Sequence, residues 1–170
     1  MNVFEEIKKR SSVRGFLDKP IEDEVLMSVL EAGRLAPSAN NRQEWRFVVV
    51  KDREVRMRVA EAAKGQSFVG EAPVVIVACA VVDAYLMPCG QSSYPIDVAI
   101  ALDHISLAAV ECGLGVCWIG AFNEKKVKKI LGIPKKVRVV ELMPIGYSAT
   151  QAVKEKNRLP LSTIVKQGHW

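Results

Sequence analysis

Aromatic residues are scarce, at 6% of the 170 residues, so the interior has to be filled by Val, Ile, Leu and Ala. No apolar run approaches the ~18 uninterrupted residues of a membrane-spanning helix, and no membrane partner is expected. The start, Met1-Asn2-Val3-Phe4-Glu5-Glu6, lacks the basic-then-apolar form of a signal peptide, so a cytoplasmic protein is expected. Only His104 and His169 supply imidazole, and Cys79, Cys89, Cys112 and Cys117 show no Cys-x-x-Cys spacing. A zinc site is hard to build from that set, and the cysteines read as reduced, mostly core residues. Gly-x-Ser-x-Gly is absent; with one histidine inside an apolar helix and the other beside the C-terminus, a hydrolase triad is not expected. Neither the phosphate loop of NTPases nor Gly-x-Gly-x-x-Gly occurs. The fragment Gly113-Leu114-Gly115 follows a helix and precedes a strand, the reverse of a pyrophosphate-cradling turn, and reads as a helix terminator. Linkers, repeats and low-complexity tracts are also missing, so residues 1–170 are expected to form one domain.

What is there centres on Tyr94 to Phe122. Pro95 opens a long apolar helix, and Asp97, His104 and Glu111 recur at every seventh position, leaving almost every other direction apolar. Such a helix is buried nearly all round. In a small chain that requires the centre of the fold, a second copy of the molecule, or both, and a large self-association surface is expected. The carboxylates Asp97, Asp103 and Glu111 read as structural or interface groups.

Around this helix the chain alternates. Asn2 to Lys9 forms a short helix with Val3, Phe4 and Ile7 on one side. After Pro20 the acidic start Glu22-Asp23-Glu24 suits a helix whose buried face is Val25, Leu26, Val29, Leu30 and Ala32, ending near Ala36 because Pro37 follows. Trp45 to Val50 reads as a strand, Arg53 to Ala63 as a helix, and Val74 to Val81 as an interior strand buried on both faces. Asp83 to Tyr94 reads as a loop near the site. A short strand from Val116 to Ile119 follows the long helix, then a lysine-rich helix, then a last strand from Val137 to Met143. The tail, with Lys154, Lys156 and Arg158, closes with Leu161 to Val165. The pattern predicts an α+β layered fold.

The formal net charge is +5, and Lys125, Lys126, Lys128, Lys129, Lys135, Lys136 and Arg138 lie in one run. Around Val127, Ile130 and Leu131 they read as the solvated face of an amphipathic helix, and no nucleic-acid partner is expected. A second set of cations is patterned differently. Arg10, Ser12 and Arg14 alternate, so an extended chain projects two guanidinium forks and a hydroxyl to one side, which suits a phosphate dianion. Lys156 and Arg158 repeat the alternation at the other end. With the amide-rich loop Ser38 to Gln43, whose Asn41 and Gln43 both donate and accept, they point to a ligand with a phosphate at one end and a heterocycle at the other.

Four segments together resemble the FMN-dependent nitroreductase family, in the same order: Arg10-Ser11-Ser12-Val13-Arg14, Pro37-Ser38-Ala39-Asn40-Asn41-Arg42-Gln43-Glu44-Trp45, Gly113-Leu114-Gly115-Val116-Cys117-Trp118-Ile119-Gly120 and Lys156-Asn157-Arg158. The resemblance spans nearly the whole chain. It implies a mixed β-sheet flanked by helices, an intertwined homodimer, and FMN at the subunit interface. Arg10, Ser11, Ser12 and Arg14, with Lys156 and Arg158, are then the residues around the ribityl phosphate. Asn41 and Gln43 contact the ribityl chain and ring, Pro37 and Ser38 come from the partner subunit, and the backbone at Ile119 and Gly120 faces the ring near N5. The implied activity passes hydride from NAD(P)H through FMN to a small acceptor such as a nitroaromatic or quinone, with no side-chain catalyst. Alternatives are dehalogenation or flavin fragmentation on the same fold, a non-catalytic FMN carrier, or a basic nucleic-acid-binding module. One departure stands out: Glu44 occupies a position where the family commonly has proline, and its side chain is expected to face solvent.

Overall fold

In the computed structural model, residues 2–82, 85–150 and 156–170 are described; Asp83, at the start of the expected loop, and Lys154, in the tail, lie outside the described residues. The sheet is built on β2 (Val74–Val81), which is apolar without interruption and therefore has to be covered on both faces. β1 (Trp45–Val50) and β4 (Val137–Gly146) flank it, and β3 (Gly115–Val116) pairs with the far edge of β4, giving the order β1-β2-β4-β3. All these pairings are antiparallel. The parallel component of the expected mixed sheet enters at one bridge, Ser12 to Val116.

The period-two alternation of β2 sorts the core into two clusters. Val74, Ile76, Ala78 and Ala80 face one side, against α2 (Asp23–Arg34) and α5 (Tyr94–Glu111). Val75, Val77 and Cys79 face the other, against α3 (Arg53–Ala62), α4 (Ser67–Glu71) and α6 (Glu124–Leu131). Each such Val or Ile contributes roughly 1.5–3 kcal/mol by leaving water. The α2 and α5 axes approach closely because Gly33 has no side chain: a Cβ there would lie 2.7 Å from both Cδ1 and Cγ1 of the fully buried Ile105.

β1 and β2 have the expected bounds. β4 runs past the expected end at Met143, because Pro144 contributes its carbonyl, which accepts from the Cys117 N–H (3.3 Å), and needs no N–H there. The ladder between β2 and β4 slips between Ala78 and Cys79, which face Glu141 and Val139, so Val140 is the extra residue of a bulge. The short α4 was not visible in the pattern. Arg56 secures it, buried and donating to the carbonyls of Lys51 (3.1 Å), Gly70 (2.8 Å) and Ala72.

The long helix begins at Tyr94 and stops at Gly113, whose φ of 75° lets the Leu114 N–H return to the Ala109 carbonyl (2.8 Å). Its expected all-round burial is met on one side only. Val98, Ala101, Leu102, Ile105 and Ala109 are buried, whereas Ile96 is 41% exposed and Ile100 and Leu107 are half-buried. On α1 (Val3–Lys9) the apolar side is outward, with Phe4 73% exposed, and the buried residue is Glu6. In the tail, α7 (Leu161–Ile164) and its flanks lie exposed. Among the described residues no helix is long and apolar enough to cross a membrane.

Candidate functional site

After α1 the chain turns extended at Arg10 (φ −52°, ψ 123°) and runs along the free edge of β3. The Val13 N–H donates to the Val116 carbonyl (2.9 Å), and further on the Leu17 N–H donates to Tyr147 (2.8 Å). This close approach depends on Gly115, where a Cβ would fall 2.5 Å from Val13 Cγ2 and 2.9 Å from its Cβ. Extended backbone alternates its side chains. Ser11 and Val13 line a groove with Lys9, Val110, Leu114 and Tyr147, whereas Arg10, Ser12 and Arg14 lie within electrostatic reach of the Cys117 thiol. Ser11 therefore sits on the opposite side from the cations it was grouped with.

The C-terminal cations arrive at the same place. Lys156 donates to the Ile7 carbonyl, and its pKa is pulled below the lysine range by burial first, then by Arg10 and Arg158. Arg10 thus neighbours both Cys117, with Ser12 and Arg14, and Lys156, with Arg158. Among the described residues none of these four cations has an acidic partner. Like charges gathered this closely repel, and an anion bound among them relieves the repulsion.

Beyond β3 the chain keeps pairing with β4. The Ile119 N–H donates to Leu142 (2.9 Å) and the Leu142 N–H donates back (3.1 Å). Both backbone groups of Ile119 are therefore committed to the sheet, whereas the Gly120 N–H donates to no acceptor among the described residues. That refines the expectation for Ile119 and Gly120: only the second has a backbone N–H to offer a ligand.

The loop Ser38 to Gln43 holds three non-glycine residues in the left-handed region, Asn40 (φ 50°), Asn41 (φ 54°) and Gln43 (φ 50°). Conformations of this kind cost of order 1–3 kcal/mol each and persist only where surroundings over-determine them. Here the Gln43 N–H donates to Ser38 Oγ (3.0 Å), Arg46 donates to the Gln43 carbonyl (3.0 Å), and the Ala39 N–H donates to Asp97 Oδ1 (3.2 Å). Asp97 is only 3% exposed and its Oδ2 has no partner. Glu44 does not face solvent as expected: it is 6% exposed, accepts from Ser93 Oγ (2.9 Å), and stands 3.6 Å from Arg42 Nε. Two buried carboxylates, one from the loop and one from α5, thereby tie it to the helix start. Pro37, Asn41 and Gln43 remain exposed on the outer side.

Loop and cation cluster do not meet within this chain. The loop is fixed at Asp97, while the N-terminal arm packs against Val110 to Gly115; fourteen residues of α5, about 21 Å at the helical rise, separate Asp97 from Glu111. Along the outer face of α5 run two apolar grooves of about 350 and 540 Å³, lined among others by Ile96, Ile100, His104 and Leu107. Buried thiols offer no nucleophile, since burial pushes Cys79 up to about 11 and also raises Cys117.

The profile of the nitroreductase family matches residues 7–69 and 62–147. Over an alignment 188 positions long, gaps included, the chain is 31% identical to the NADH dehydrogenase of Thermus thermophilus, with 92% of this chain and 91% of that protein covered. It is 30% identical to the NAD(P)H FMN reductase of Bacillus subtilis, covering 97% of this chain and 73% of the relative. A crystal structure of a nitroreductase family protein from Clostridium difficile 630 superposes with a TM-score of 0.90 at 31% identity, covering 100% of both chains. Another, from Clostridium novyi NT, gives 0.84 at 36% identity, over 91% of this chain and 89% of that one. The chain belongs to the nitroreductase family.

Proposed function

We propose that the protein is an NAD(P)H-dependent flavin oxidoreductase that holds FMN between two copies of the chain and delivers electrons to a small acceptor of the nitroaromatic or quinone type. The observation that carries this reading is the cluster of Arg10, Arg14, Lys156 and Arg158, brought together from both ends of the chain with no acidic partner among the described residues. Arg10, Ser12, Arg14, Lys156 and Arg158 would hold the phosphate by charge-assisted hydrogen bonds. When bound, FMN supplies the hydride chemistry, taking it from the nicotinamide and passing it on to the acceptor.

The chain's own contribution is positional and electrostatic. Gly120 would present its N–H to the ring from a strand edge fixed by the Ile119–Leu142 pair, a preorganised donor that need not move during turnover. Asn41 and Gln43, on a loop whose strained backbone is already set, would reach the ribityl chain and ring. Because the loop and the cations lie at opposite ends of α5 in one protomer, a second copy, packed on the apolar face of α5 and α1, would bring the partner's loop to this protomer's cations. Pro37 and Ser38 would enter the same way. This supports a homodimer, in which the exposed Leu159, Leu161, Ile164 and Val165 of the tail would also find cover. We read residues 1–170 as one cytoplasmic domain.

Anaerobic titration tests the reading. Purified protein reconstituted with FMN is expected to be yellow, to bleach with NADH or NADPH, and to recolour with a nitroaromatic or quinone. Protein that binds FMN but is not reduced by either nicotinamide is a carrier, and that result contradicts the proposal.

A further inference from the structure

β4 carries one acidic residue inside its buried stretch, Glu141, between Val140 and Leu142. It sits at the bulge where the ladder with β2 slips, and bulges re-aim the side chains next to them. The carboxylate lies against Gly120: a Cβ built on that glycine would be 3.6 Å from Oε2 and 3.7 Å from Oε1. Any larger residue at position 120 would share this space. Glu141 also lies within electrostatic reach of Cys117, the thiol that feels Arg14 and Arg10. It is half-buried, yet among the described residues it makes no hydrogen bond or ion pair. Burial accordingly pushes its carboxyl above the usual carboxylate range.

For stability alone this is a poor residue. An apolar side chain would pack as well on a strand whose neighbours are Val140, Leu142 and Met143, with no charge to desolvate. An acid at that cost, unpaired among the described residues and on the strand behind the Gly120 N–H, points to a role toward whatever the N–H faces.

We propose that Glu141 sets the electrostatic potential behind the flavin ring and lowers the reduction potential of bound FMN. The inference rests on the FMN reading above. The physical reason is simple: reduction adds negative charge to the ring, and a carboxylate behind Gly120, in surroundings less polar than water, opposes it. The phosphate end of the site is cationic and attracts the cofactor. Glu141 acts at the other end, beside the ring, so affinity and potential are set by different residues.

The test compares wild type, Glu141→Gln and Glu141→Asp, each loaded with FMN, by fluorescence titration and by midpoint potential against a reference dye at fixed pH. Glu141→Gln is expected to bind FMN and to favour its reduction at least tenfold more than wild type, a positive shift of about 30 mV or more for two electrons. Glu141→Asp, which keeps the charge, is expected to stay nearer to wild type. If Glu141→Gln does not fold, Glu141→Ala is read in the same way. Wild type that binds FMN, with a neutral variant of unchanged potential, overturns the proposal alone; wild type that takes up no FMN overturns both the FMN reading and this inference.

Discussion

Lys156 and Arg10 come from opposite ends of the chain, and burial first, with the nearby Arg10 guanidinium second, holds the Lys156 ammonium below its usual pKa. Arg10 is also the residue that joins Lys156 and Arg158 to Ser12 and Arg14 around Cys117. Removing it takes a charge-assisted contact from the centre of the cluster. Arg10→Ala is expected to weaken FMN binding roughly 10- to 100-fold, the ~1.5–3 kcal/mol of a hydrogen bond to a charged group. Fluorescence titration of the variant checks this, with thermal melting as the control for folding.

The strained loop depends on the buried carboxylates. Asp97→Ala leaves the Ala39 N–H without its acceptor, and Glu44→Ala leaves Ser93 Oγ without one. Each is expected to cost about 1–3 kcal/mol, which for a chain of this size lowers Tm by several degrees. Calorimetry of both variants measures it. A Tm within a degree of wild type for both would show that the loop keeps its backbone without them.

Two glycines allow close approach, with different consequences. Gly33→Ala drives a methyl group into Ile105 at the α2–α5 contact and is expected to destabilise by about 1–3 kcal/mol. Gly115→Ala drives one into Val13 and displaces the arm carrying Arg10, Ser12 and Arg14. Its FMN affinity is expected to fall more than that of Gly33→Ala, relative to the stability each loses. Urea unfolding and FMN titration on the pair separate the two effects.

Two glutamates give opposite pH dependences. Burial raises the Glu141 pKa, so its contribution to stability is fully present below the unfolded value, about 4.3, and is lost as pH rises through the folded value. Glu141→Gln is therefore expected to raise Tm more at pH 8 than at pH 4. For Glu124, burial also raises the pKa, but Arg138, the Val139 N–H and Lys128 together outweigh it and bring the carboxyl below its ordinary value. Its contribution is present above the unfolded value and is lost as pH falls through the folded one. Glu124→Gln is expected to lower Tm at pH 7, with the difference closing as pH falls below about 4. Melting curves across this range that move in the same direction for both variants would contradict the assignment.

Legibility followed the range of the interactions. β1 and β2 could be read to the residue because an apolar strand declares itself locally, and the alternation of Arg10, Ser12 and Arg14 survives as an extended arm. What escaped depends on partners distant in sequence. Glu44 looked like a solvent-facing departure because nothing nearby announces Ser93 as its hydrogen-bond partner. Arg56 resembles any helix cation until Gly70 and Ala72 are placed beside it. The last strand runs beyond Met143 because Pro144 offers the sheet its carbonyl, a use that the sequence does not declare. Glu141 has no local signature, since only the bulge and the bare backbone of Gly120 give its position meaning. The apolar surplus of α5 was visible, but its division into a buried side and an outward side needed the sheet.

The central claim, that cations from both ends of the chain converge on one phosphate, is tested most directly by comparing FMN with riboflavin, which has the same ring and ribityl chain but no phosphate. Fluorescence titration is expected to give FMN an affinity at least 100-fold higher, with the advantage largely lost in an Arg10→Ala, Arg158→Ala double variant. Equal affinity of the wild-type protein for the two flavins would contradict the account.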